Sequence, residues 1–126
     1  MKIAIVIITV DRVLGRNYLS NTLESLRSSG VCDDSRFSID VYHSGSDRAN
    51  LDLSLIGRCN VTLHSNDTKT HTNESSRIAL NIGIDRKPDY VLFMEDDVEV
   101  CSEFPRFICS QLNLNPTPPI VDFISY

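Results

Sequence analysis

Hydrophobic residues in this chain form short, β-branched runs that alternate with stretches of helical spacing. The runs predict five strands, at Ile3–Val10, Phe37–Tyr42, Val61–His64, Tyr90–Met94 and Ile120–Ile124. Apolar residues three and four apart predict helices at Tyr18–Ser28, Glu74–Ile84 and Glu103–Leu112, with a short helical turn at Leu51–Ile56. This alternation predicts an α/β fold, a mostly parallel sheet flanked by helices on both faces. We expect the first, second and Tyr90–Met94 strands to be mutually parallel, with Thr9 and Glu95 at the same edge.

The Tyr90–Met94 run is followed directly by three carboxylates, Glu95, Asp96 and Asp97. A wholly apolar run predicts a central strand that is buried on both faces. Carboxylates are seldom buried without a partner, and the carboxyl end of such a strand faces the crevice where ligands bind. An acidic cluster there suits Mg²⁺ or Mn²⁺, which take oxygen ligands and share them with substrate phosphates. An acidic loop that only caps the strand is the alternative interpretation.

The composition and charge narrow the class of protein. The chain has 126 residues, which predicts a single domain over residues 1–126. Its formal charge of −5 and scattered basic residues argue against a nucleic-acid partner. The opening apolar run lacks a cleavage site and is shorter than the roughly 20 residues of a membrane helix. We therefore expect no membrane span and a cytoplasmic location, with a secretory lumen as the alternative if the chain is a fragment.

The four cysteines, Cys32, Cys59, Cys101 and Cys109, have no CxxC spacing. A zinc site is not indicated by that arrangement. Without an export signal, we expect them to be reduced thiols.

Three segments, in order and spacing, resemble the amino-terminal half of a GT-A glycosyltransferase of the family 2 type and its N-acetylglucosaminyltransferase IV-like relatives. The chain from Ile5 through Arg12, followed by the Tyr18–Leu26 stretch, is similar to that family's first strand, nucleotide loop and first helix. The Asn73–Gly83 stretch, with Arg77 and Asn81, resembles the helix before the metal strand. The Glu95-Asp96-Asp97 sequence resembles the acidic metal motif.

The resemblance implies a domain that binds a nucleotide-diphosphate sugar, most simply a UDP-sugar, together with Mn²⁺ or Mg²⁺. The sugar would pass to a glycan or another hydroxyl acceptor. By this match Asp97 is the metal ligand, while Glu95 and Asp96 face ribose or sugar hydroxyls. The other predicted nucleotide-sugar-binding residues are Thr9, Val10, Asp11 and Arg12 after the first strand, Asp47 after the second strand, and Arg77.

Structural roles remain alternatives for three of these residues. Asp11 could be a turn or capping acid, Arg12 could form a surface ion pair, and Arg77 could be an arginine on the surface of its helix. The family's acceptor-binding half, which carries the catalytic base of inverting members, would lie beyond Tyr126. We therefore expect a chain that is truncated at its carboxyl end, and we assign no catalytic residue.

Two other functions remain open. One is a non-catalytic module that binds a nucleotide or a cation. The other is a nucleotidyltransferase, which usually carries a glycine-rich, basic phosphate loop near the first strand. Only Gly15 is present in that stretch, so this alternative ranks last.

Overall fold

A computed structural model describes residues 1–10, 18–45, 51, 53–68, 70 and 72–114. Its strands are β1 (Ile3–Val10), β2 (Phe37–Ser44), β3 (Thr62–Asn66) and β4 (Tyr90–Glu95). Its helices are α1 (Tyr18–Ser29), α2 (Leu53–Arg58), α3 (Thr72–Asp85) and α4 (Phe104–Leu114), with a 3-10 turn at Val31–Asp33. The predicted strand Ile120–Ile124 and the predicted site residues Asp11, Arg12 and Asp47 lie outside the described residues.

The four strands form one parallel sheet in the order β3-β2-β1-β4. The predicted α/β fold is therefore confirmed, as is the parallel arrangement of β1, β2 and β4. In the register, Ile8 lies opposite Glu95 and Thr9 lies opposite His43. The carboxyl ends of all three strands consequently meet at one edge of the sheet, which we call the carboxyl edge.

Helices cover both faces of the sheet, and the alternation of side chains along β1 shows how. Ile5 and Ile7 point to one face, where they pack with Leu23 of α1 and Leu55 of α2. On that same face, a cluster around Ile3 at the opposite edge includes Ile108, Cys109 and Leu112 of α4. Val6 and Ile8 point to the other face and pack against α3. β1 is buried almost throughout because both of its faces are covered.

Helix α1 follows from the spacing of its apolar residues. Leu19, Leu23 and Leu26 recur every three or four positions and form the stripe that faces the sheet. The helix ends at Gly30, whose φ of 89° lies in the left-handed region that glycine adopts without steric cost.

Every predicted element that the structure describes, except β1, differs in its bounds by one or two residues from the sequence-based prediction. β2 continues through Ser44, and α2 spans Leu53–Arg58 rather than Leu51–Ile56. β4 is half-buried from Tyr90 to Phe93, not fully buried. The reason is its position, since among the described strands it pairs with β1 alone.

None of the helices within the described ranges is long and apolar enough to cross a membrane.

A pair of glycines gives a test of the packing between α3 and the sheet. A Cβ on Gly83 would lie 2.9 Å from Val6 Cγ1 and 3.0 Å from Val91 Cγ1, whereas a Cβ on Gly57 of α2 would meet no atom within 4 Å. Gly83→Ala is expected to lower the free energy of unfolding by about 1–3 kcal/mol, because the core is overpacked. Gly57→Ala is expected to raise it by about 0.5 kcal/mol through helix propensity. Urea denaturation of both variants checks the two signs, and a stabilising Gly83→Ala would contradict the close packing.

Candidate functional site

The acidic residues Glu95, Asp96 and Asp97, which we call the acidic turn, lie at the carboxyl edge. Glu95 is the last residue of β4, and Asp96 and Asp97 form the turn that follows. Glu95 and Asp97 are exposed, whereas Asp96 is only 4% exposed. The three adjacent acids therefore have different roles, two facing solvent and one facing the protein.

Asp96 holds the acidic turn against the first two elements of the chain. Its Oδ2 accepts a hydrogen bond of 2.7 Å from the hydroxyl of Thr9, at the end of β1. Its backbone carbonyl accepts another hydrogen bond of 2.7 Å from the hydroxyl of Thr22, in α1. Both threonines are buried. Hydrogen bonds of this kind offset the free energy that it costs to bury a carboxylate. They also hold in place the backbone of the turn that carries Asp97.

The segment after the acidic turn is also tied to α1. The backbone N–H of Val100 donates to Ser25 Oγ over 3.0 Å, and Ser25 in turn donates to the carbonyl of Thr22. Val98 and Val100 pack against the core below. The chain on both sides of Asp97 is therefore anchored, while the Asp97 side chain stays exposed.

The structure brings together several of the predicted site residues. Thr9, Val10, Glu95, Asp96 and Asp97 all lie at the carboxyl edge. Thr9 is buried with its hydroxyl directed to Asp96, and Val10 is partly exposed. Contact between any of these side chains and a ligand stays a prediction.

Arg77 lies on α3, away from the acidic turn in sequence. Its side chain is 66% exposed, and its guanidinium nitrogen lies 3.8 Å from a carboxylate oxygen of Glu74 one turn earlier. A surface pair of this kind contributes little to stability. The other two residues of the family-like stretch behave differently from each other, since Asn81 is exposed and Gly83 is buried against the sheet.

A second group at the carboxyl edge was not predicted from the sequence: Tyr42, Ser44, Thr70 and Ser75, which we call the hydroxyl cluster. The N–H of Thr70 donates to Ser44 Oγ over 2.7 Å, and the hydroxyl of Thr70 lies 3.0 Å from the same oxygen. The Thr70 hydroxyl also hydrogen-bonds Ser75 in the first turn of α3 and lies 3.4 Å from the Tyr42 hydroxyl. These bonds fix the start of α3 at the carboxyl edge.

Neither Thr22 nor the hydroxyl cluster was recognised as part of the site. One signal was available for Thr22, which stands within the leucine stripe of α1 and is fully buried. A threonine at such a position needs a hydrogen-bond partner in the core. The hydroxyl cluster gave no comparable signal, because its members come from β2, from the segment between β3 and α3, and from α3 itself.

The acidic turn fits a hard divalent cation that shares its ligands with a phosphate. No three His, Cys, Asp or Glu side chains among the described residues are grouped as a metal site. Mg²⁺ and Mn²⁺ need no such cage, because one or two carboxylates suffice when phosphates and water complete the ligand set. Asp97 and Glu95 are the exposed carboxylates of the turn that could serve.

The sequence matches no protein-family model and no curated protein. Solved structures of TarS from S. aureus do match. The chain aligns with TarS at 16% identity and a TM-score of 0.71, over 90% of this chain and 20% of that one. It aligns with TarS 1–349 at a TM-score of 0.72, over 92% of this chain and 33% of that one. Two further structures of TarS 1–349, in complex with UDP and with UDP-GlcNAc, match at 16% identity and a TM-score of 0.70.

These matches show that the chain has a GT-A-like glycosyltransferase fold, the Rossmann-like α/β arrangement that the sequence predicted. The chain spans about a fifth of the TarS chain and a third of TarS 1–349.

Proposed function

We propose that this chain binds a nucleotide-diphosphate sugar at the carboxyl edge of its sheet, as the donor-binding part of a glycosyltransferase. The observation that carries the proposal is the anchored acidic turn. Thr9 and Thr22 hold Asp96 in the core, so that Asp97 projects from a fixed backbone at the edge where α/β sheets bind ligands. The bound UDP and UDP-GlcNAc in the TarS structures of this fold support a UDP-sugar as the donor.

Asp97 is the residue that we assign to a divalent cation, Mn²⁺ or Mg²⁺. Such a cation, when bound, neutralises the diphosphate as it leaves the sugar. The carboxylate of Asp97 is suited to the role because it is exposed and its backbone is fixed on both sides. A metal-binding side chain on a backbone that is already fixed loses little conformational entropy when the cation binds.

The remaining predicted residues are assigned to the donor or to the support of its site. We assign Glu95 and Val10, at the ends of β4 and β1, to ribose or sugar hydroxyls, and the buried Asp96 and Thr9, which hydrogen-bond each other, to holding this part of the site in place. Asp11 and Arg12 follow β1 in the sequence, and Asp47 follows β2, and on that ground we assign all three to the nucleotide. Arg77 is assigned to the diphosphate. The acceptor in the reaction would be a glycan or another hydroxyl compound, and the finer likeness to N-acetylglucosaminyltransferase IV-like enzymes is part of this proposal.

A thermal-shift titration tests donor binding directly. The chain is heated with UDP, UDP-GlcNAc, UDP-glucose or GDP-mannose, each with Mn²⁺ and with EDTA. A ligand at 100 times its Kd stabilises the native state by about 2.7 kcal/mol, which raises Tm by several degrees. We expect that rise for UDP compounds with Mn²⁺ and a much smaller rise with EDTA. An equal response to all four compounds, or no response to any, would contradict the proposal.

A further inference from the structure

Helix α1 holds the acidic turn and the segment after it through two hydroxyl side chains. Thr22 and Ser25, which we call the α1 clamp, lie one helical turn apart and so share a face of the helix. The Thr22 hydroxyl donates to the carbonyl of Asp96 over 2.7 Å, and the Ser25 hydroxyl accepts from the N–H of Val100 over 3.0 Å. The α1 clamp therefore contacts the chain one residue before Asp97 and three residues after it.

Both contacts of the α1 clamp are made to main-chain atoms of the clamped segment. The pairing of β4 with β1 stops at Glu95, residues 96 and 97 form a turn, and residues 98–100 belong to neither a helix nor a strand. The path of the backbone beyond β4 is therefore set by contacts with other elements. Hydrogen bonds to its carbonyl and N–H groups fix that path directly, and with it the point from which the Asp97 side chain projects.

The two hydroxyls have defined orientations. The Ser25 hydroxyl donates over 2.7 Å to the carbonyl of Thr22, three positions earlier in the helix, so its oxygen remains as the acceptor for Val100. Thr22 is completely buried among the leucines of α1. A valine of nearly the same shape would fill that position, but only a hydroxyl can donate to the carbonyl of Asp96.

We propose that Thr22 and Ser25 are positioning residues for the divalent cation, because they hold the backbone on both sides of the carboxylate that binds it. The inference rests on the proposed function, since it takes Asp97 as the ligand of the cation. In this role the α1 clamp touches neither the donor nor the cation. Groups that orient a metal ligand from outside the coordination sphere typically contribute about 10–100-fold to metal affinity.

Calorimetric titrations of UDP, with Mn²⁺ and with EDTA, test the role of the α1 clamp. Thr22→Val and Ser25→Ala are each expected to lower the Mn²⁺-dependent affinity for UDP by about 10-fold or more. The affinity measured with EDTA should stay unchanged, because the α1 clamp acts on the cation ligand and not on the nucleotide. Thr22→Ser keeps the hydroxyl and should retain the affinity of the parent chain.

Two control variants separate positioning from a general loss of stability. Ser28→Ala repeats the change of Ser25→Ala at an exposed position of the same helix, and we expect it to bind as the parent chain does. Gly83→Ala places a Cβ against Val6 and Val91, in the packing between α3 and the sheet. It should lower Tm and leave the Mn²⁺-dependent affinity unchanged.

Hydrogen exchange of the ligand-free chains measures the clamped segment by itself. The backbone N–H of Val100 should exchange faster in Ser25→Ala than in the parent chain, because it has lost its acceptor. Residues 96–98 should exchange faster in Thr22→Val. Ser28→Ala should match the parent chain throughout.

Four results would overturn the positioning role. Folded Thr22→Val and Ser25→Ala could keep the Mn²⁺-dependent affinity of the parent, Thr22→Ser could lose as much as Thr22→Val, Gly83→Ala could lose as much as either, or the exchange rates could stay unchanged. If Thr22→Val shows no melting transition, Ser25→Ala decides alone. A parent chain that binds UDP equally with Mn²⁺ and with EDTA gives a different result, which overturns the proposed function and this inference with it.

Discussion

Asp97→Asn is expected to lower the Mn²⁺-dependent affinity for UDP by at least about 100-fold, since loss of an outer-shell partner alone costs 10–100-fold in metal affinity. The substitution removes one charge at nearly constant shape. Asp97 is exposed, and the bonds that fix the acidic turn are made by Asp96, Thr9 and Thr22. The fold and Tm without ligand should therefore stay within error of the parent chain.

Glu99→Gln provides the matched control for that experiment. Glu99 is an exposed carboxylate two residues further along the same segment, and its removal changes the net charge by the same amount. Calorimetric titrations of UDP, with Mn²⁺ and with EDTA, are compared for both variants and the parent. Equal Mn²⁺-dependent affinity in the parent and in Asp97→Asn would show that the cation is held elsewhere. A similar loss in both variants would show a general effect of charge.

Arg86→Met is expected to lower the free energy of unfolding by about 3 kcal/mol, the low end of the range for breaking a buried ion pair. Asp40, in β2, is 1% exposed. Arg86, just after α3, donates to its two carboxylate oxygens over 3.1 and 2.8 Å and also donates to Thr62 over 3.0 Å. The bond to Asp40 is also the main reason why the pKa of Arg86 is raised. Without Arg86, the bond that the buried carboxylate keeps to another side chain among the described residues is the 2.9 Å bond to His64.

The low end of the range applies because the Arg86 side chain is itself 43% exposed, so water screens part of the interaction. Arg77→Met, which removes an exposed arginine of α3, is the matched control, and we expect it to change stability by less than about 0.5 kcal/mol. Asp40→Asn combined with Arg86→Met should recover part of the loss, because the charge left unpaired in the core is gone. Chemical denaturation of the three variants measures these differences. An Arg86→Met variant as stable as Arg77→Met would contradict the buried pair.

Much of the regular secondary structure of this protein could be predicted from the sequence, because the patterns that specify it are local. The β-branched run Ile3–Val10 predicts β1, and the leucine spacing predicts α1. Gly30 ends that helix through its own backbone conformation. The end of β2 could not be predicted from local sequence. Its last two residues, His43 and Ser44, are polar, and they belong to the strand because they pair with Thr9 and Val10 of β1. The burial of β4 is decided in the same way, by which strands lie beside it.

The candidate site also has features that the sequence predicted and features that only the tertiary structure decided. The sequence by itself determined that three carboxylates follow a strand, and the rules of parallel sheets placed them at the ligand-binding edge. Which carboxylate is buried was decided only by tertiary structure, because the hydroxyls that hold Asp96 come from Thr9 and Thr22, 87 and 74 residues away in the chain. The pairing of Asp40 with Arg86 across 46 residues has the same origin. Hydrogen bonds between distant segments depend on the packing of the whole sheet, and no local pattern of residues specifies them.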